Sequence, residues 1–184
     1  MNRKSSLLTM IFAALLCALG IIIPMFAPKI VIGPASFTLA SHVPIFIAMF
    51  ISPPVAIIVA LGTTLGFFIA GFPLVIVLRA FSHLIFATIG AFLLKKKPGL
   101  LSAPVSATVL GLGLSVIHAA SEVLVVTFFF FGGQMAKDFY TNGYAMSVLL
   151  LVGLGGIVHS MIDYGLSLAI WKPLTSTVLK PRNV

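Results

Sequence analysis

Arg79 is the residue of this chain whose position is hardest to explain without a ligand. It lies in the stretch 72–94, which is otherwise apolar enough to cross a bilayer. A charge in such a segment costs at least about 2.5–3.5 kcal/mol on insertion scales, so we expect Arg79 to face a protein cavity and to meet an anion or polar groups. The sequence therefore predicts a buried site for an anion or an anion-bearing ligand. The alternative is an arginine that snorkels to the membrane interface.

Four other polar residues are predicted to share a layer with Arg79. His83 follows it by four residues on the same helical face, and the next predicted helix carries His118, Ser121 and Glu122 at a comparable depth. Glu122 could pair with Arg79 when the site is empty, or it could accept hydrogen bonds from a bound ligand. An Arg–Glu pair that only locks two helices together is the structural alternative.

Residues near the predicted outer face could complete such a site. Ser41 and His42 stand at the outer end of the short second helix, and Tyr140, Asn142 and Tyr144 occupy the loop before the last helix. We interpret them as a lid and rim, because a small ligand needs a few placed hydrogen bonds in a largely apolar cavity. Ordinary interfacial residues would show the same pattern, since tyrosine is enriched at membrane surfaces.

The other candidates for chemistry give weaker signals. His159 and Asp163 are four apart in the last helix and are interpreted as a local pair, with a proton relay as the alternative. The four histidines do not form a recognisable metal-binding spacing, so the sequence predicts no metal. The single cysteine, Cys17, lies in an apolar run and is predicted to serve packing only.

Composition places the chain in a membrane. Of its 184 residues, 60% are hydrophobic and only 8% are charged, which excludes an ordinary water-soluble domain. The first apolar run exceeds the length of a signal-peptide core and is interpreted as a retained helix. The hydrophobic runs and their breakers predict one all-α membrane domain, 1–184, a compact bundle of six transmembrane helices at about 7–27, 39–51, 55–71, 72–94, 103–131 and 144–171.

The net charge of +8 predicts orientation in the membrane rather than nucleic-acid binding, because the basic residues cluster between apolar segments. With both termini cytoplasmic, only Lys29 and Lys137 fall outside. The basic residues on the inner side are then Arg3, Lys4, Lys95, Lys96, Lys97, Lys172, Lys180 and Arg182. We therefore expect a multi-pass protein of the plasma membrane with a cavity that opens outward near Arg79.

Small residues recur at four-residue spacing in Ala14–Ala18 and Gly62–Gly66, which favours close helix packing. The glycines at 153, 155 and 156 predict another close crossing or a local weakness in the last helix. The chain has no convincing internal repeat and no room for a soluble ATPase, so any energy source must lie on another chain.

Over nearly its whole length, the chain resembles the substrate-binding S components of energy-coupling factor transporters. The resemblance rests on its size, the basic N-terminus, the Ala14-x-x-x-Ala18 pair, the segment 41–48, the break at 52–54, and Gly62 with Gly66. The match lies in the order of these features along the chain.

The resemblance implies a vitamin-capturing subunit that is not itself an enzyme and carries no cofactor. Its partners would be a transmembrane coupling protein, docked on Ala14 and Ala18, and two ATPase subunits that use ATP. The vitamin would bind near the outer face under covering loops, and the subunit would topple in the membrane to release it inward.

Arg79 suits a carboxylate-bearing vitamin, which among the substrates of this family means niacin or pantothenate. The run 40–90 looks most similar to members assigned to niacin, which is therefore favoured, with His83 or nearby phenylalanines against the pyridine ring. Pantothenate would instead use Asn142, Ser121 and Glu122 for its hydroxyls and amide. The alternatives from other classes are a non-transport assembly protein and an intramembrane protease built on Ser115 and His159.

Overall fold

Helices account for most of the residues that the structure describes. The computed structural model describes the backbone of residues 3–32 and 35–177 and the side chains of residues 7–32 and 35–175. Lys180 and Arg182, which entered the orientation argument, lie outside these ranges. The α-helices are α1 (Arg3–Phe26), α2 (Val43–Ile51), α3 (Pro53–Ile69), α4 (Leu74–Lys96), α5 (Pro104–Phe131), α6 (Lys137–Thr141) and α7 (Gly156–Thr177). A 3₁₀ turn spans Pro98–Leu101, and a π-helical segment spans Ala145–Gly155.

Within the described residues, four helical stretches are long and apolar enough to cross a membrane: Leu7–Phe26, Leu74–Lys96, Pro104–Phe131 and Ala145–Thr175. Large apolar side chains are exposed all along them, as expected of a surface that faces lipid. α3 is apolar but shorter, at 17 residues. The predicted all-α membrane fold is confirmed, and each of the six predicted helices has a counterpart.

The second helix begins at Val43 rather than at the predicted residue 39. Its nine residues rise only about 13.5 Å, less than half of a bilayer core of about 30 Å. α2 packs against α1, α3, α4 and α7, and seven of its nine residues are buried. Such a short helix is apolar on all sides because it is surrounded by protein on all sides. Its position brings His42, directly before its first residue, into the interior of the bundle.

A β-hairpin connects α1 to the turn before α2. β1 (Lys29–Ile32) pairs antiparallel with β2 (Ala35–Thr38), with Lys29 opposite Thr38 and Ile32 opposite Ala35. β1 is exposed, whereas Ala35 and Thr38 of β2 are buried. After β2 the chain turns through Ala40, which adopts a positive φ of 65°. This turn explains why α2 starts later than the hydrophobic run.

The glycine-rich stretch of the last predicted helix combines a structural irregularity with close contacts. The backbone is π-helical from Ala145 to Gly155, a form that is rare and often found at functional sites. A Cβ on Gly155 would stand 2.9 Å from the ring of Phe37 in β2, and one on Gly156 would touch Ala119 of α5 at 3.6 Å. The hairpin and α5 therefore both approach the chain where the π-helical segment passes into α7.

Gly111 of α5 provides a test of the packing between α5 and α7. A Cβ at this position would overlap the ring of Tyr164, whose hydroxyl donates to the carbonyl of Ala107, 3.0 Å away. We expect Gly111→Ala to lower the free energy of unfolding by about 1–3 kcal/mol through overpacking. Gly113→Ala is the matched control, because no atom of the described residues lies within 4 Å of its added Cβ. Thermal unfolding of both variants in detergent measures the difference, and equal melting temperatures would contradict the described packing.

Candidate functional site

A cavity of about 140 Å³ lies between the β-hairpin and the middle of the bundle. This is roughly ten times the space that one water molecule requires, which suits a small organic ligand. α1, the hairpin, α2, α3, α4, α5 and α7 all contribute to its wall, and Phe37 of β2 lies on the hairpin side. All four histidines of the chain, together with Arg79 and Glu122, line it.

Glu122 is the centre of the polar groups on α4 and α5. Its Oε2 accepts a hydrogen bond from Nη2 of Arg79 at 2.9 Å, and its Oε1 lies 3.3 Å from Nε2 of His83. Nε2 of His118, one helical turn before Glu122, lies 3.5 Å from the same oxygen. Four residues of the predicted layer, Arg79, His83, His118 and Glu122, are thus brought together, with Arg79 and Glu122 paired.

His118 is buried in the site with its polar ring atoms unsatisfied within the described part of the chain. It is 1% exposed, and neither of its ring nitrogens has a hydrogen-bond partner among the described residues. Its ring centroid lies 4.5 Å from that of His42 and 4.7 Å from that of His83, and the rings of His42 and His83 are 4.9 Å apart. Three imidazoles from three elements therefore meet edge to face around one point.

Asp163 of α7 connects this cluster to the start of α2. Its Oδ1 accepts the backbone N–H of Ala40 at 2.8 Å, and its Oδ2 accepts the backbone N–H of His42 at 2.9 Å. Nδ1 of His42 lies 3.0 Å from the same Oδ2, whereas Nε2 of His159 is 3.5 Å away. The predicted His159–Asp163 pair is present at 3.5 Å, but the carboxylate also holds a turn far away in sequence through its shorter hydrogen bonds.

Several residues of the cavity were not selected from the sequence. Phe37 lies beside His159, with ring centroids 5.6 Å apart, and Phe67 stacks on Phe72 at 4.5 Å. Lys29, which the sequence analysis placed on the outer side, lines the cavity as well. Short runs of alternating residues around position 35 were the available signal for a strand, but they were too brief to exceed the pattern of a loop.

Three of the predicted ligand-binding residues lie elsewhere. Ser121 donates its hydroxyl to the carbonyl of Ile117, and Asn142 is exposed and donates to the carbonyl of Asp138. Tyr144 shares a 2.9 Å hydrogen bond with Thr127 beside Phe130. Ser121 bonds within its own helix, Asn142 lies at the end of α6, and Tyr144 at the start of the π-helical segment turns toward Thr127 of α5.

The two residues predicted for docking, Ala14 and Ala18, are exposed on the outward face of α1.

The expectation that no metal binds rested on the spacing of histidines along the sequence, whereas the fold brings His42, His83 and His118 together from separate elements. One ligand atom from each of these and one from Glu122 lie within 4.8 Å of one another. The spacing of histidines along the sequence therefore cannot decide whether this chain has a metal site.

No family model matches the sequence, and no solved structure matches it. Among curated proteins, the niacin transporter NiaX of Lactococcus lactis subsp. cremoris is 46% identical over 175 residues, which cover 95% of this chain and 78% of the relative. The chain belongs to the NiaX family. The preference for niacin-type relatives in the sequence analysis is confirmed, and this NiaX-family chain is a multi-pass membrane protein.

Asp163 offers a direct test of the connection between α7 and α2. Asp163→Ala leaves the N–H groups of Ala40 and His42 without their acceptor, and each orphaned group costs about 1–3 kcal/mol. We expect a clear fall in melting temperature. The control is Asp138→Ala, since Asp138 is the exposed acidic residue of α6. Equal melting temperatures of the two variants would show that Asp163 does not hold the turn.

Proposed function

We propose that this chain captures niacin from outside the cell as the S component of an ATP-driven energy-coupling factor importer. The support is the extensive identity to a niacin transporter together with a hairpin-covered cavity that presents an arginine. The chain binds and delivers its substrate without catalysing a reaction. Its ATPase subunits and coupling protein are separate chains.

Arg79 is the observation that carries the choice of an acidic ligand. The guanidinium uses Nη2 for Glu122, while its Nε is buried without a hydrogen-bond partner among the described residues. Its side chain remains 27% exposed, and it lines the cavity. A carboxylate placed there accepts charge-assisted hydrogen bonds from the donors that Glu122 leaves unused. Because Glu122 is already paired with Arg79, it does not present a bare negative charge to an anionic ligand.

Aromatic and imidazole rings suit the pyridine ring of niacin. Phe37 and His159 form one side of the cavity, Phe72 lies on its wall, and His83 stands one turn beyond Arg79. A flat heteroaromatic ring is accommodated by offset or edge-to-face contacts with such groups. The hairpin residue Phe37 then covers the ring from the side of the exposed strands.

The competing functions receive less support. Of the three residues expected to bind pantothenate, Glu122 lines the cavity, whereas Ser121 and Asn142 do not. For a protease, Ser115 is fully buried and its hydroxyl has no described partner. Ser41 does contact His159 at 3.1 Å, but through the same Nε2 that faces Asp163, so the ring cannot relay a proton between serine and carboxylate.

In the proposed assembly the termini are cytoplasmic and the cavity opens outward. This orientation follows from the excess of lysine and arginine predicted on the inner side. Ala14 and Ala18 provide a smooth exposed surface on α1 against which a coupling protein packs closely. Toppling of the whole subunit then carries the cavity to the inner side, and ATP hydrolysis by the partner subunits drives the cycle.

Comparison of niacin with nicotinamide tests the role of Arg79, because the two differ only in the carboxylate. We expect the wild-type chain to prefer niacin, and Arg79→Gln to lose at least about 100-fold in niacin affinity through loss of the charged donor. Arg79→Lys should recover part of the preference. Calorimetry on the detergent-purified chain measures both ligands.

Lys137→Gln is the control for loss of a positive charge, since Lys137 lies on α6 outside the cavity. It should bind niacin like the wild type. Melting temperatures confirm that the variants are folded. A folded Arg79→Gln variant with wild-type niacin affinity would exclude Arg79 from the ligand site, and absence of niacin binding to the wild type would overturn the proposed function.

Bulky residues on α1 test docking separately from binding. We expect Ala14→Trp and Ala18→Trp to abolish ATP-driven niacin uptake and co-purification with the coupling protein, while niacin binding is kept. Leu19→Trp is the control, because Leu19 is also exposed but lies about 100° around the helix from Ala18. Uptake that survives in both alanine variants would remove this face from the proposed docking surface.

A further inference from the structure

We propose that His42, His83, His118 and Glu122 bind a divalent ion of the zinc type in the floor of the cavity. The ion site depends only on side chains of this chain. A role for the ion in holding the vitamin additionally rests on the proposed function.

The distances around Glu122 fit metal ligands better than hydrogen bonds. Nε2 of His83 and of His118 lie 3.3 and 3.5 Å from Oε1 of Glu122. Charge-assisted hydrogen bonds between nitrogen and oxygen are shorter, at about 2.7–2.9 Å. Ligand atoms arranged tetrahedrally at about 2.0–2.1 Å from zinc are separated from each other by roughly 3.3 Å. Each of these two nitrogens is thus spaced from Oε1 as two ligands of one ion would be.

The imidazole rings show the same arrangement. Their centroids are 4.5, 4.7 and 4.9 Å apart, and their planes are inclined by 67–81°. Three imidazoles that bind one zinc ion through a ring nitrogen have centroids about 5 Å apart. No mutual hydrogen bond explains the cluster, since neither nitrogen of the buried His118 has a partner among the described residues.

His42 has the supporting contact expected of a metal-binding histidine. Its Nδ1 lies 3.0 Å from Oδ2 of Asp163, so that nitrogen donates and Nε2 keeps the lone pair. Metal-binding histidines usually donate their second N–H to a carboxylate or carbonyl in this way, which fixes the ring and raises its basicity. Asp163 is therefore a positioning residue for the ion.

Arg79 is compatible with a nearby ion because the two use different oxygens. Arg79 contacts Oε2 of Glu122, and the histidines face Oε1. Three neutral imidazoles and one carboxylate suit zinc and related first-row ions rather than magnesium or calcium, which prefer oxygen ligands. With the ion bound, the site carries a net positive charge, which favours an anionic ligand in the cavity beside Arg79.

The test is the metal content of the full chain purified without a histidine tag. After removal of metal with a chelator and addition of Zn²⁺ or Co²⁺, we expect one ion per chain by elemental analysis. Bound Co²⁺ should also give the visible absorption of a four-coordinate site. His83→Ala and His118→Ala should each lower Zn²⁺ affinity by at least about 100-fold.

His159→Ala is the matched control, since it removes the remaining histidine of the chain while leaving the proposed ligands in place. It should bind Zn²⁺ like the wild type. Loss of the ion in His159→Ala but not in His118→Ala would overturn the ligand assignment. Absence of stoichiometric Zn²⁺ and Co²⁺ binding to the folded wild type would overturn the site itself, without depending on any variant that fails to fold.

Niacin calorimetry on the same metal-free and Zn²⁺-loaded samples separates this proposal from the proposed function. We expect the metal-free chain to bind niacin at least tenfold more weakly. Niacin binding by a chain that takes up no ion would overturn the ion site and support the function. An ion-loaded chain that binds no niacin would support the ion site and overturn the function.

Discussion

The carboxylate of Asp163 holds the arrangement on which the cavity depends. It is fully buried, and it accepts the backbone N–H groups of both Ala40 and His42. These are the residues that turn the chain from the hairpin into α2, and a turn inside an apolar bundle must satisfy its amides within the protein. One side chain of α7 therefore fixes where α2 begins, how deep His42 lies and which way its ring points. Without this acceptor, the turn between the hairpin and α2 would lose its hydrogen bonds to α7.

Glu122 has a similar role on the opposite side. A buried carboxylate requires compensation, and Arg79 supplies it from the neighbouring helix at 2.9 Å. Two of the three acidic residues of the chain are thus spent on organising one site, although the membrane makes each of them costly. Such an arrangement is typical of polar groups kept for binding, because a purely structural bundle can pack with apolar residues alone.

The sequence was sufficient for the class of fold and for the Arg79 layer. Long apolar runs and proline or glycine breaks gave the helices, and the four-residue spacing of Arg79 with His83 and of His118 with Glu122 indicated shared faces. The partnership of Asp163 with the turn before α2 could not be obtained in this way. Its hydrogen bonds link residues more than 120 positions apart, and helical spacing instead suggested His159 as the nearest partner.

The hairpin and the π-helical segment could not be predicted from the sequence for a related reason. Four-residue strands show too little alternation to be distinguished from a loop, and the apolar stretch 145–155 suits an α-helix as well as a π-helix. Asn142 and Tyr144 were predicted at the rim because they lie in the loop before the last helix, whereas their side chains contact α5 and α6 instead. Tertiary contacts, such as that of Phe37 against Gly155, decide the local geometry there.

The glycines between α1 and α3 have a mechanical consequence. Gly20 fits against Thr63, Gly62 against Cys17 and Gly66 against Ile21, so that none of these positions has room for a Cβ without a shift of its neighbour. Because of this close packing, we expect the two helices to move together. The outer surface of the pair carries the exposed alanines of α1, and its inner surface includes Gly20 and Thr63 in the wall of the cavity. A displacement of α1 is therefore expected to change the wall of the cavity.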